Sequence, residues 1–360
     1  MYYLGRGVKK DYLKTVMWWR RAADQGNANA QYNLGGMFYV GRGVKKNFSE
    51  AEKWFSKAAE QGAPQAQFKL GVMHNLGQGV RKDNAKAAMW FRKAAGQGDT
   101  KAQFNLGLMY AKGSGVKQDY TKAKKWYLKA AAQGDTNAQL NLGVMYAEGQ
   151  GVKQAYPEAA KWWGKAAKQG NARAQYKYGL MYDLGKGVNQ NYSEAAKWYH
   201  KAAEQGDIHA QHNFGVLYYD GKGVKQNYTK AAKWFLKAAK KGVPRTQLRL
   251  GIMYASGQGV RQDTSKAARW FLKAAEQGYA DAQFNLGLIY SSGIGVKKSG
   301  TDSAYWFHQA GLSYLKQGNR EKALTCTERI KALTSKLHLT VPNAFLADKL
   351  LDQVYRGKSK

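Results

Sequence analysis

Residues 66–98 read AQFKLGVMHNLGQGVRKDNAKAAMWFRKAAGQG, and this stretch contains two helical patterns joined by a glycine-rich turn. In its first half, apolar residues recur at helical spacing around Gly71. In its second half, Trp90 is followed by an aromatic residue, a Lys-Ala-Ala sequence and a final Gln-Gly. Because glycine between two helical segments favours a tight turn, the stretch predicts a helical hairpin.

The same unit recurs every 36 residues along most of the chain. The turn valine keeps this spacing at Val8, Val44, Val80, Val116, Val152, Val188, Val224, Val260 and Val296. The tryptophan keeps it at Trp18, Trp54, Trp90, Trp126, Trp162, Trp198, Trp234, Trp270 and Trp306. One hairpin cannot bury its own apolar face, so neighbouring hairpins must stack into an all-α array. We expect the Trp column and the aromatic column beside it to form the core.

Smaller residues define the ends and the packing of the predicted helices. A glycine within a helix costs about 1 kcal/mol relative to alanine, so its recurrence in every first helix indicates close approach of the second helix. Asp119 and Asn191 precede second helices and are candidate N-caps. The Gly of each Gln-Gly stands where a helix is expected to stop.

The repeating pattern Ala-x-Ala-Gln-aromatic-x-Leu-Gly-x-Met-Tyr, Gly-x-Gly-Val, Ala-x-x-Trp-aromatic-x-Lys-Ala-Ala-x-Gln-Gly resembles the Sel1-like repeat family. The resemblance covers residues 1–311 and implies a right-handed α/α superhelix, or solenoid, related to tetratricopeptide arrays. It also implies a scaffold or adaptor that binds proteins, often in bacterial envelope or host-interaction systems. One branch of the family has paired cysteines in each repeat and is linked to binding of cell-wall precursors and β-lactams. This chain lacks those cysteines, so that activity is not expected.

Three segments are predicted. An array of about nine units spans residues 1–311, with the first unit truncated. A tetratricopeptide-like closing helix pair spans residues 304–337, because the Gln-Gly stop is missing after Trp306. A C-terminal helix is expected over residues 343–356.

The composition is strongly basic, with 58 Lys and Arg against 24 Asp and Glu and a net charge of +34. Such a field attracts acidic proteins and other polyanions without choosing among them. The hydrophobic content of 44% is sufficient for a packed core. No apolar run is long enough to span a bilayer.

The N-terminal sequence lacks the basic start and apolar core of a secretory signal. A cytoplasmic location is therefore the default expectation. Tyr2-Tyr3 match the tail of a first helix whose beginning is absent, so an upstream export signal stays open.

A polar position two residues before each first-helix glycine is a candidate binding site. If first helices line the concave side, as the resemblance implies, Asn could bond an extended peptide and Lys or Arg could hold its carboxylates. Hydrogen bonding within the array is the equal alternative. This first-helix polar column consists of Asn33, Lys69, Asn105, Asn141, Lys177, Asn213, Arg249 and Asn285.

A basic stripe is predicted three residues after each tryptophan, at Lys57, Lys93, Lys129, Lys165, Lys201, Lys237 and Lys273. It is either a solvated outer face or a dock for an anionic polymer, lipid or acidic partner. Nucleic acid is not favoured as the partner, since no nucleic-acid motif accompanies the charge.

No catalytic, cofactor or metal set is indicated by the sequence, so an enzyme is not expected. His209 and His212 are three apart on one helix with His200 on the helix before, but no carboxylate or thiol accompanies them, and surface histidines are predicted. Cys326 has no partner that would activate it. The sequence therefore predicts a protein-binding or acidic-peptide-binding scaffold, with a polyanion-binding surface as the alternative.

Overall fold

The computed structural model describes residues 2–5, 7–337 and 341–356, and in this part of the chain every regular element is an α-helix. The prediction of an all-α repeat fold is confirmed. The helices are α1 Tyr12–Asp24, α2 Ala28–Val40, α3 Phe48–Glu60, α4 Pro64–Leu76, α5 Asn84–Gly96, α6 Thr100–Lys112, α7 Tyr120–Ala132, α8 Thr136–Glu148, α9 Tyr156–Lys168, α10 Ala172–Leu184, α11 Tyr192–Glu204, α12 Ile208–Asp220, α13 Tyr228–Lys240, α14 Pro244–Ser256, α15 Thr264–Ala275, α16 Ala280–Ser292, α17 Gly300–Lys316, α18 Arg320–Leu337 and α19 Val341–Arg356.

The chain forms two compact units. The first comprises Met1–Ala174 with Lys186–Val188, and the second comprises Gln175–Gly185 with Asn189–Lys360. In both units each even-numbered helix from α2 to α16 is the first helix of a repeat, and the following odd-numbered helix is the second. α17, α18 and α19 pack together at the end of the second unit.

The glycine in the first helix allows the two helices of a hairpin to approach closely. A Cβ atom on Gly71 of α4 would lie 2.5 Å from the ring of Phe91 in α5. Real Cβ atoms do not come that close to a ring, so only glycine fits without displacing the aromatic residue. The predicted reason for this glycine is confirmed.

The second turn glycine packs closely against the preceding repeat. Gly79 has a φ of +72°, and a Cβ on it would lie 2.5 Å from the backbone of Phe48 at the start of α3. The left-handed conformation and the close backbone approach both require glycine. The Gly-x-Gly sequence is thus a structural turn between stacked repeats.

The helix ends follow the predicted caps. The Asp119 Oδ1 atom accepts a hydrogen bond of 2.8 Å from the Lys122 amide, and Asn191 Oδ1 accepts one of 3.0 Å from the Glu194 amide. At the other end of a second helix, Gly98 follows the C-cap Gln97 with a φ of +94°. These contacts satisfy backbone groups that a helix leaves free at its ends.

A pair of glutamines ties three successive helices together in most repeats. Gln67 in α4 donates to the Ala59 carbonyl at the end of α3 over 3.1 Å. Its Oε1 atom accepts a 2.8 Å hydrogen bond from Gln97 at the end of α5. The same glutamine pair occurs as Gln31–Gln61, Gln103–Gln133, Gln139–Gln169, Gln175–Gln205 and Gln247–Gln277. The bond therefore links the stacked hairpins within each unit.

The core contains the aromatic column that follows the tryptophans. Eight of its members are at most 3% exposed, namely Phe55, Phe91, Tyr127, Trp163, Tyr199, Phe235, Phe271 and Phe307, whereas Trp19 in α1 is half-buried. The tryptophans themselves lie mostly at the edge of the core, and Trp18 is 51% exposed. The core prediction is confirmed for these eight aromatic residues and is wrong for Trp18.

Candidate binding surface

The asparagines of the first-helix polar column are mostly engaged inside the array. Asn105 and Asn285 donate to carbonyls one turn earlier in their own helices, over 2.8 and 2.7 Å. Asn213 donates to the Tyr199 hydroxyl over 3.0 Å, and Asn141 lies beside the Tyr127 hydroxyl. Since an amide that bonds internally is less available to a ligand, the three bonded positions favour the structural alternative.

Asn33 differs from these asparagines. Its side chain has no hydrogen-bond partner among the described residues, and it lies beside a hollow on the face of α2. An amide with unused donors and acceptors next to a hollow can bond a ligand.

Two cations of the column, Lys69 and Arg249, are held on aromatic rings of the preceding repeat. The Lys69 ammonium lies 5.2 Å from the centroid of the Tyr39 ring, and the Arg249 guanidinium lies 5.3 Å from that of Tyr219. Such cation–π contacts fix the position of a charge without neutralising it. Neither Lys69 nor Arg249 forms an ion pair within the described part of the chain.

A glutamine of the next turn completes this arrangement in both units. The Tyr39 hydroxyl donates to Gln78 over 2.7 Å, and the Tyr219 hydroxyl donates to Gln258 over 2.6 Å. The two sets are separated by five repeats and have the same geometry. Each unit therefore presents on its first-helix face a cation that is held on a tyrosine ring and has no ion-pair partner among the described residues.

Hollows accompany this face. In the first unit, Lys69 borders a hollow of about 390 Å³ together with Asn33 and Tyr39, and a second of about 340 Å³ that extends to Lys101. In the second unit, Asn285 borders an open groove of about 660 Å³ between α14 and α16. Spaces of this size admit side chains of a bound segment.

The basic stripe is exposed at all seven positions. Each amino group lies over the ring of the tryptophan three residues before it, at 3.8 Å from the centroid for Lys237 and 4.8 Å for Lys273. The other five distances lie between these values. The stripe thus covers the indole rings of the tryptophans. The sequence did not predict this contact, although the constant three-residue spacing was visible.

The histidines do not assemble into a metal site. His212 is buried, and its Nδ1 lies 2.7 Å from the Thr246 hydroxyl of the next repeat. The prediction of a surface histidine is therefore wrong for His212, because an unusual Thr replaces the small Ala of other repeats and pairs with it. Burial, together with the nearby charge of Arg245, lowers the pKa of His212 to about 3. Among the described residues, no three His, Cys, Asp or Glu side chains form a group that could hold a metal.

Cys326 also offers no chemistry here. It is a buried free thiol, and burial raises its pKa to about 12. A thiol protonated at neutral pH and shielded from solvent is a poor nucleophile. Cys326 is therefore part of the core between α17, α18 and α19.

The stacked helical hairpins define the class of the molecule, which is an α-helical repeat protein. The Sel1 repeat model matches residues 1–27, 28–62, 64–99, 100–135, 136–171, 172–207, 208–243, 244–279 and 280–315. The chain belongs to the Sel1 repeat family, whose members are generally non-enzymatic scaffolds of protein interaction. No protein of curated function matches the sequence significantly.

Two solved structures resemble the chain over most of its length. A protective antigen present in uropathogenic Escherichia coli strains, with an SLR fold, is 34% identical at a TM-score of 0.85; the match covers 96% of this chain and 72% of the antigen. A Sel1 repeat protein from Oxalobacter formigenes is 36% identical at a TM-score of 0.66, over 84% of this chain and 90% of that protein. None of the described helices has the length and apolarity to cross a bilayer.

Proposed function

We propose that the protein is a scaffold that binds acidic segments of partner proteins along its first-helix face. The observation that carries the proposal is the repeated set of a cation, a tyrosine and a glutamine, formed by Lys69 and Arg249 with their neighbours. Each cation is fixed in place and lacks a carboxylate partner among the described residues. A carboxylate from another protein would complete a charge-assisted hydrogen bond there without first breaking an internal one.

The charge of the whole chain supports the same proposal. A net charge of +34 creates a field that raises the rate at which acidic partners meet the surface. The field is long-ranged and unspecific, whereas the fixed cations and the adjoining hollows select by geometry. Capture and recognition are therefore assigned to different features of the molecule.

A second candidate function is binding of a polyanion through the basic stripe. It is favoured by one observation: of the seven exposed lysines, only Lys237 forms an ion pair in the described structure, with Glu204 over 3.7 Å. The remaining amino groups keep their charge available to phosphates or acidic polymers. Their contacts with tryptophan explain the column equally well as a cover for the indoles.

Two variants of equal charge distinguish these functions. Lys69→Gln with Arg249→Gln removes two cations from the first-helix face, and Lys129→Gln with Lys165→Gln removes two from the stripe. Binding of a fluorescein-labelled Glu-rich peptide is measured by anisotropy for each. The proposal predicts that only the first variant loses about tenfold or more in affinity, since a charged hydrogen bond is worth about 1.5–3 kcal/mol.

Salt dependence provides the second arm of the experiment. Inorganic polyphosphate bound along a stripe should lose affinity steeply, by orders of magnitude, between low and physiological salt. A peptide held by one or two cations and a hollow should lose far less. If only the stripe variant loses the peptide, the first-helix proposal is wrong and the polyanion surface takes its place.

A further inference from the structure

One first helix departs from the others at a position that faces the hollow in the first unit. Gly36 stands in α2 where the other first helices have an aliphatic residue at the same repeat position. Those residues are Val72, Leu108, Val144, Leu180, Val216, Ile252 and Leu288, and each is half-buried. The aliphatic side chain that occupies this part of the surface in the other repeats is therefore missing at Gly36.

Packing does not require this glycine. A Cβ atom added to Gly36 would meet no other atom within 4 Å, in contrast to one added to its neighbour Gly35, which would lie 2.8 Å from the Phe55 ring. Gly36 is helical, and glycine is among the poorest helix formers. Its only visible consequence is open space.

The open space is a hollow with aromatic walls. Its volume is about 390 Å³, and its walls include Tyr3, Trp19, Tyr32 and Tyr39. A dry cavity of roughly 150 Å³ already accepts a benzene ring in a protein core, so this hollow can take an aromatic side chain. The ring centroids of Tyr3 and Trp19 are 5.2 Å apart with a tilt of 39° between the rings, so these two walls of the hollow also contact each other.

The polar groups at the rim are cationic or neutral. Lys69 and Arg42 both line the hollow, and neither forms an ion pair in the described part of the chain. The amide of Asn33 also lines it and has no hydrogen-bond partner among the residues that the structure describes. Because none of the described residues that line this hollow is a carboxylate, its charge complements an acidic segment and disfavours a basic one.

We propose that the hollow above Gly36 is an anchor pocket for one aromatic side chain carried by an acidic segment of a partner protein. The ring enters between the tyrosines and Trp19, while flanking carboxylates reach Lys69 and Arg42 and the peptide backbone bonds to Asn33. This inference rests on the proposed function and adds the side chain that the first-helix face selects. Apolar burial favours an aromatic side chain in the hollow, and the cations favour acidic residues on either side of that side chain.

The test uses two labelled probes and the full chain. One probe is a nonapeptide of Glu and Asp with a single central Phe, and the other has Ala in place of the Phe. Fully burying a Phe side chain corresponds to a preference of about tenfold or more. The wild-type chain is expected to bind the Phe peptide tighter than the Ala peptide by at least that factor.

Gly36→Leu places in the hollow the residue that other repeats carry at this position. It is expected to reduce the Phe-over-Ala preference to less than about twofold, with unchanged or higher thermal stability because leucine is the better helix former. A loss of preference without loss of stability cannot result from misfolding. Gly96→Leu is the matched control, since an added Cβ at Gly96 also meets nothing within 4 Å and Gly96 does not line the hollow.

The outcomes separate this inference from the proposed function. Equal binding of both peptides by the wild-type chain, or a preference that survives Gly36→Leu, overturns the anchor pocket alone. Lys69→Gln is expected to weaken both peptides by a similar factor, and if it does, the proposed function stands without the pocket. If the wild-type chain binds neither peptide, both the anchor pocket and the proposed function are overturned.

Discussion

Replacing Lys241 with glutamine should stabilise the protein, because it supplies a hydrogen bond that one repeat lacks. In six repeats a glutamine at the end of the second helix donates to the buried first-helix glutamine. Lys241 stands at that place after α13, and the Oε1 atom of Gln211 is buried without a hydrogen-bond partner in the described structure. Lys241 has φ −90° and ψ 7°, close to φ −87° and ψ 6° at Gln97, so a glutamine there can reach Gln211.

The size of the effect follows from the buried acceptor. Leaving such a group unsatisfied costs about 1–3 kcal/mol, which the new hydrogen bond recovers. Loss of a positive charge at the end of a helix removes less than about 1 kcal/mol. We therefore expect Lys241→Gln to raise the free energy of unfolding by about 1 kcal/mol.

Urea unfolding followed by circular dichroism measures this change, and two further variants serve as controls. Lys240→Gln removes the same charge one residue earlier and offers no bond, so it should be neutral or slightly destabilising. Gln97→Lys makes the opposite exchange and should lower the free energy of unfolding by about 1–2 kcal/mol. If Lys241→Gln were no more stable than Lys240→Gln, and Gln97→Lys were neutral, the glutamine pair would have no net stabilising value.

The remaining predictions concern pH and packing. The pKa of His212 is about 3 in the folded chain and about 6.5 in the unfolded chain. The unfolded state therefore binds a proton at a higher pH than the folded state does. The free energy of unfolding should fall as the pH drops below about 6.5, by about 2 kcal/mol at pH 5. Urea midpoints at both pH values check this, and His212→Phe with Thr246→Ala, the residue types of other repeats, should flatten the dependence. Gly71→Ala should destabilise the protein by about 1–2 kcal/mol in the same assay, because overpacking against Phe91 exceeds the gain in helix propensity. Gly36→Ala, whose added Cβ meets no atom within 4 Å, should stabilise the protein by up to about 1 kcal/mol. Equal effects at the two glycines would contradict the packing argument.

The repeat, the helix ends and the close helix approach were predictable because each depends on local residues at constant spacing. The residue types at Gly71 and Asp119 predict their structural roles, because few other residues fit a close helix approach or an N-cap. The glutamine pairs were not predictable in the same way. Their members lie 30 residues apart, and only the stacking of helices brings their side chains together.

The candidate sites were less well determined by sequence. A column of asparagines looks the same whether its amides face a ligand or the array, and three of them bond internally. Asn33 differs because it lies beside a hollow and its amide has no hydrogen-bond partner among the described residues, and both features depend on packing. Gly36 was a visible signal, because it interrupts a column of aliphatic residues, as was the joint change at His212 and Thr246.

Lysine acetylation read by mass spectrometry, with and without a bound Glu-rich peptide, tests the central claim most directly. At low reagent the rate at each lysine reports whether its amino group is covered. The account predicts that the peptide slows acetylation of Lys69 several-fold and leaves Lys129 and Lys165 unchanged. Protection of Lys129 and Lys165 with Lys69 unaffected would contradict it and place the partner on the basic stripe.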